Sequence, residues 1–194
     1  MALSSAIVAV AYLLGNISPA ILLGRMYGVD IKKEGSGNAG TTNVLRVLGK
    51  KAAAVTLIID VLKGVAAVLL GRYLGGEGLE LICGIAVFCG HIWPVFFKFK
   101  GGKGVATALG VILTTVPVIG AAILASALII IALSKRVSVG ALTCAVVFPV
   151  VATLYDRDLM IWAITLGVII VITHRKNIVR LFRGEEPKLK RSGK

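Results

Sequence analysis

The residues able to do chemistry lie in three polar runs of an otherwise apolar chain. The first is Gly35-Ser36-Gly37-Asn38-Ala39-Gly40-Thr41-Thr42-Asn43, followed by Arg46. Its three glycines let backbone N–H groups turn toward an anion. Thr41 or Thr42 is placed to cap the next helix, whose N-terminus adds partial positive charge. Arg46, about one turn in, has the planar fork that grips phosphate with two hydrogen bonds. The second run holds His91, Pro94 and then Lys100-Gly101-Gly102-Lys103-Gly104, which opens directly onto a helix. It builds another nest, with lysines as point charges. His91, near the end of an apolar helix, reads equally as a general base or as a hydrogen-bonded core residue. In the third run helical spacing puts His174, Asn177 and Arg180 on one face, with Leu181 and Phe182 beside them, as in a helix at a lipid surface. Ser138, beside Arg136, stands at one more helix end, where it can cap and donate to a ligand.

Two glycine nests suit two phosphate-bearing substrates handled beside lipid, at least one of them amphiphilic. A flexible connector would not need Ser, Asn, Thr and Arg interleaved with glycine. A basic turn would not need three glycines around Lys103. Gly35-x-Gly37-x-x-Gly40 also fits the dinucleotide fingerprint, with Asp60 at a suitable distance. No strand precedes those glycines, however, and Asp60 sits in an apolar helix, so a nucleotide fold is excluded. A P-loop is excluded because its lysine is missing. Asp60 and Lys63 form an i,i+3 pair that reads as structural neutralisation. Cys83, Cys89 and Cys144 lie in apolar segments without metal spacing and read as packing.

These runs must be positioned by membrane helices. Of 194 residues, 57% are hydrophobic and 16% charged. Long apolar stretches cover 2–24, 52–71, 81–97, 104–134, 137–155 and 159–173, which leaves no room for a soluble catalytic or nucleic-acid-binding domain. Lys and Arg number 22 against 9 Asp and Glu. They cluster around 25–51, 98–103, 135–136 and 175–194, whereas Arg72, Glu77, Glu80, Asp156, Arg157 and Asp158 form net-acidic loops. The positive-inside rule puts the basic regions in the cytoplasm and the N-terminus outside. Stretch 104–134 then begins and ends on the same side, and as one helix it would be about 46 Å long against a ~30 Å core. It is expected to be a helical hairpin broken within 114–120, around Pro117. The expectation is an all-α polytopic membrane protein with seven transmembrane helices, C-terminus cytoplasmic. It would be a single domain with a flexible basic tail over 187–194 and no cleavable signal.

The three runs, in this order, resemble the PlsY family of bacterial acyl-phosphate:glycerol-3-phosphate acyltransferases, over essentially the whole chain. The resemblance rests on residues 35–43 with Arg46, on Gly90-His91-x-x-Pro94 with residues 100–107, and on His174-x-x-Asn177-x-x-Arg180-Leu181-x-x-Gly184-Glu185. It implies acyl transfer from acyl phosphate to the sn-1 hydroxyl of glycerol 3-phosphate, giving lysophosphatidic acid and phosphate at the inner membrane. No metal, other cofactor, acyl-CoA or acyl carrier protein is implied, and the partners are the two substrates and membrane lipid. Consistently, neither histidine starts a His-x4-Asp motif. On this resemblance the catalytic positions are Ser36, Arg46, His91, Lys103 and Asn177. Substrate binding falls to Gly35, Gly37, Asn38, Thr41, Thr42, Asn43, Lys100, Gly101, Gly102, Gly104, Ser138, His174, Arg180 and Glu185. Residues 35–46 and 174–185 would hold glycerol 3-phosphate, and Lys103 with its glycines the acyl-phosphate head. The runs contain no cysteine, and Ser36 has no Ser-His-Asp setting, so direct attack by the acceptor hydroxyl is expected, with a substrate phosphate taking the proton. The rival class is a membrane transporter of an organic phosphate.

Overall fold

The computed structural model describes residues 2–76 and 78–189. Glu77 and the tail residues 190–194, with the cations Lys190, Arg191 and Lys194, lie outside the described residues. Helices, turns and irregular connections make up the described residues, with no strand among them. They form two compact bodies, one ending at Pro117 and the other beginning at Val118.

The first body contains α1 (Ala2–Gly15), α2 (Pro19–Met26), α3 (Thr41–Val47), α4 (Lys50–Leu74), α5 (Leu79–Ile92) and α6 (Val105–Thr115). Its helices cross backbone to backbone at glycines. A Cβ on Gly15 would collide with Val87 O, and one on Gly90 with Tyr12 O, so α1 and α5 need both glycines. Gly64 against Thr107 O and Gly110 against Val61 O do the same for α4 and α6. In lipid, where burial from water no longer drives association, such close approach supplies the packing energy. The stretch expected as one helix over 2–24 is broken at Asn16–Ser18, and Pro19 starts α2, where its missing N–H costs nothing. Two carbonyls at this break accept from Lys63 Nζ, Gly15 O at 3.2 Å and Ile17 O at 2.7 Å. Backbone freed at membrane depth must find such a partner.

The expected break in 104–134 falls at Val116, which takes a non-helical conformation (φ −134°, ψ 76°) before Pro117. There α7 (Pro117–Ser134) begins. The second body continues with α8 (Val137–Tyr155), α9 (Met160–Thr173) and α10 (Arg175–Phe182). Phe148 of α8 and Trp162 of α9 meet edge to face at 5.6 Å. The helix that ends at Thr173 bends by 59° into α10. Five helical stretches are long and apolar enough to cross a membrane, or six if the bent pair counts as one span. α6, with 11 residues, rises only about 16 Å and does not reach that length. Large apolar side chains such as Leu57, Ile58 and Leu62 on α4, and Val146, Val150 and Leu154 on α8, are exposed. Water-soluble proteins rarely carry so much; lipid is the solvent that fits it.

Candidate active site

In the first glycine run, Asn43 is the organising residue. Its Oδ1 accepts from Ser36 N at 2.8 Å, and its Nδ2 donates to Ile31 O and Glu34 O, both at 3.0 Å. The residue is buried, so its amide builds the loop and has no donor left for a ligand. Gly35 (φ +61°) and Gly37 (φ +69°) take left-handed conformations, and a Cβ on Gly35 would strike Asn43 Oδ1. The helix cap is Gly40, with no side-chain bond; Thr41 and Thr42 are already helical, which replaces the expected threonine cap. Thr41 Oγ1 is buried without a hydrogen-bond partner. Ser36 and Arg46 are exposed, and Asn38 and Thr42 are half-buried.

The second run is tied to the end of α5. Gly101 N donates to Ile92 O (3.0 Å) and Gly102 N to His91 O (3.1 Å). These two N–H groups, expected to cradle an anion, instead satisfy the last carbonyls of α5. Donors for an anion therefore come from further on: Gly104 (φ +81°) caps α6, whose first-turn N–H groups have no intrahelical acceptor. Thr107, in that turn, has a fully buried hydroxyl without a partner and was not singled out from the sequence. Lys100 is exposed and Lys103 half-buried. A Cβ on Gly102 would collide with His91 Nε2 and lie 2.7 Å from Ala39 O, so the two glycine runs meet over His91.

His91 itself is buried. Its Nδ1 lies 2.8 Å from Lys63 Nζ and 3.2 Å from Asp60 Oδ1, and Lys63 Nζ is 2.7 Å from Asp60 Oδ1. The runs alone show no His–carboxylate pair; the fold supplies one from α4. Nδ1 thus faces both an ammonium, which only donates, and a carboxylate oxygen, which only accepts, and the two hold the ring with Nε2 toward Gly102. Of the two roles open to His91, this geometry favours the packed, hydrogen-bonded one.

In the second body the hub is Glu186, not Glu185. Ser138 Oγ (2.8 Å) and Asn177 Nδ2 (2.6 Å) donate to its Oε1, and Arg180 Nε (2.7 Å) to its Oε2. Arg136 Nε donates to its backbone oxygen at 3.0 Å. Gly184 (φ +72°) turns the chain and Glu185 N caps Arg180 O, which leaves the Glu185 side chain exposed and Glu186 buried. Leu189 N donates to Lys135 O at 2.7 Å. His174 is buried, and its Nδ1 meets Ile170 O at 2.8 Å. A carbonyl only accepts, so Nδ1 carries a proton. Burial raises the Glu186 pKa, but the bonds from Arg180, Asn177 and Ser138 outweigh it and hold the carboxyl below its ordinary range. Its stabilising contribution is therefore present above the ordinary glutamate pKa of about 4.3 and lost as pH falls through the lower folded value. Glu186→Gln should lower the melting temperature at pH 7 by an amount matching about 1–3 kcal/mol, and the gap to the parent should close toward pH 3. A gap that persists unchanged at acid pH would deny the carboxylate this role.

Several apolar spans, helical throughout with no strand among the described residues, and basic glycine runs at their ends define a multi-pass membrane protein. The chain matches the glycerol-3-phosphate acyltransferase family over residues 5–184. It is 48% identical over 183 residues to a glycerol-3-phosphate acyltransferase of Thermoanaerobacter pseudethanolicus, covering 93% of this chain and 92% of the relative. It is 47% identical to one from Thioalkalivibrio sulfidiphilus, covering 97% and 95%. Among solved structures it resembles PlsY (YgiH), an integral membrane glycerol 3-phosphate acyltransferase, in the glycerol 3-phosphate form: TM-score 0.89, 38% identity, 96% of each chain. The lysophosphatidic acid form gives 0.88 at 36% identity, over 96% of this chain and 95% of that one. The chain belongs to the glycerol-3-phosphate acyltransferase family and is an acyltransferase, which sets the transporter reading aside.

Proposed function

We propose that the protein transfers a fatty acyl group from acyl phosphate to the sn-1 hydroxyl of glycerol 3-phosphate, at the cytoplasmic face of a bacterial inner membrane. The observation that carries this reading is the close likeness to a PlsY solved in both a glycerol 3-phosphate and a lysophosphatidic acid form. These two molecules differ by one acyl group, so they stand as acceptor and product. The acceptor oxygen attacks the acyl carbonyl carbon, the carbon–oxygen bond to phosphate breaks, and phosphate leaves with the electron pair. The hydroxyl proton passes to a phosphate oxygen of a substrate. Acyl phosphate is a mixed anhydride whose leaving group is already good, so the enzyme's task is to position two phosphates and stabilise charge. In this reading Arg46 and residues 35–43 hold the acceptor phosphate, and Lys103, Gly104 and the first turn of α6 hold the acyl-phosphate head. The resemblance assigns His174, Asn177 and Arg180 to glycerol 3-phosphate. The burial of His91 against Lys63 supports a substrate phosphate as proton acceptor. Purified protein, given acyl phosphate and labelled glycerol 3-phosphate with a chelator and without acyl-CoA or acyl carrier protein, should form lysophosphatidic acid. In a single turnover without acceptor, no burst of phosphate should appear. A stoichiometric burst with an acylated peptide at Ser36 would establish a covalent route instead.

Seven crossings, with the N-terminus outside and the C-terminus cytoplasmic, follow from the charge pattern. α6 and α9 are then short spans, accommodated by local bilayer thinning. A single cysteine at position 156 of a cysteine-free variant should react with an impermeant reagent added to intact cells, and one at 136 should not. The opposite pattern would overturn this topology.

A further inference from the structure

The spans Ala2–Met26 and Leu79–Phe97 end at the same place, and there the first body holds a cavity of about 470 Å³. Its lining includes Arg25, Asp30, Lys32, Phe96, Phe97 and Lys98, none of which the proposed reaction uses. One aromatic ring orients two of the cations: the Arg25 guanidinium lies 5.4 Å, and Lys32 Nζ 5.6 Å, from the Phe97 centroid. Lys32 Nζ also donates to Phe97 O at 3.3 Å. Lys98 is held in a left-handed conformation (φ +56°), which non-glycine residues seldom adopt. Asp30, the one carboxylate among the described lining residues, is already engaged. Its Oδ1 accepts from Lys32 N at 3.0 Å, and its Oδ2 lies 3.9 Å from Lys33 Nζ. Burial pulls the Lys32 pKa down, Asp30 opposes, and Lys100 and Arg25 add to the lowering. The positive-inside rule accounts for cations near a span end, but it does not gather them around a cavity and a shared ring.

We propose that this cavity binds the phosphodiester headgroup of an anionic membrane lipid. Three cations with one committed carboxylate leave an uncompensated positive concavity, and Arg25 offers the fork that suits phosphate oxygens. The surroundings select a lipid over free phosphate. Phe96 is 69% exposed, and Met26 and Tyr27, which follow Arg25, and Phe99, which follows Lys98, are exposed too. These apolar groups stand where the spans end, the level at which a lipid's glycerol and upper acyl chains lie. A bare anion would leave them unused.

The test reads bound lipid without turnover, so it succeeds or fails independently of the proposed reaction. Protein is released from nanodiscs containing equal phosphatidylglycerol and phosphatidylcholine, and retained lipid is counted by native mass spectrometry. The wild type should keep one phosphatidylglycerol with a preference of about tenfold, and Arg25→Gln/Lys32→Gln/Lys98→Gln should bring that preference close to unity. If the triple variant does not fold, Lys98→Glu, at an exposed side chain, should still cut the preference by about threefold or more. Millimolar inorganic phosphate should not displace the lipid. Equal retention of both lipids, an undiminished preference in the variants, or displacement by inorganic phosphate, which would make a free anion the ligand, overturns the proposal.

Discussion

Asp60→Ala should lower the stability of the folded protein by about 3–5 kcal/mol, the cost of leaving a buried ion without its partner. For a chain of this size that corresponds to a fall in melting temperature on the order of 10 °C. Both Asp60 and Lys63 are buried, 2.7 Å apart, so solvent does not reach Lys63 to stand in for the lost carboxylate. Lys63 also holds the carbonyls of the break between α1 and α2, so its disturbance spreads to α1 as well as to His91. The double variant Asp60→Leu/Lys63→Met should recover a large part of the loss, because hydrophobic replacement of a whole buried pair is often near neutral. It should not recover all of it: two carbonyls then lack their donor, and His91 Nδ1 its polar partners. Thermal unfolding of the three proteins in one detergent decides this. A single variant that melts with the parent would show that the pair carries no stability.

Arg46→Ala should cost about 2–4 kcal/mol of transition-state stabilisation, roughly 30- to 1000-fold in kcat/KM, through loss of a charge-assisted fork on phosphate. The structure sharpens the expectation. Arg46 is exposed at the end of α3, and its side chain makes no hydrogen bond or ion pair with any described residue. Its removal should therefore leave the melting temperature within the small range of ordinary surface substitutions. Arg46→Lys should rescue only partly, because an ammonium lacks the planar pair of donors. Near-normal activity in the alanine variant would take Arg46 out of the site. A large loss of stability would mean that it acts on the fold.

How much was legible in the sequence depended on the range of the signal. Membrane helices, the loop glycines and the break before Pro117 are local properties: apolar length, left-handed backbone, and the clash a proline imposes on its predecessor. The three chemical runs were legible for the same reason, as was the family resemblance they carry. What stayed hidden were partnerships between distant segments. Asp60 and Lys63 read as a self-sufficient pair until the crossing of α4 and α5 brought His91 against them. Gly101 and Gly102 read as anion donors because their use on α5 carbonyls depends on where the loop folds back. Asn43 read as a ligand, though its amide is spent on backbone seven to twelve residues away. Between Glu185 and Glu186 composition offers no choice; one left-handed turn at Gly184 decides it. The sequence by itself determined the class of protein, through apolar length and the family resemblance, and where the polar glycine-bearing runs lie, because these follow from residue type and spacing. Only the tertiary structure decided which polar atoms are spent inside the fold and which remain for a substrate, because each buried donor must find an acceptor and helix packing selects the one within reach.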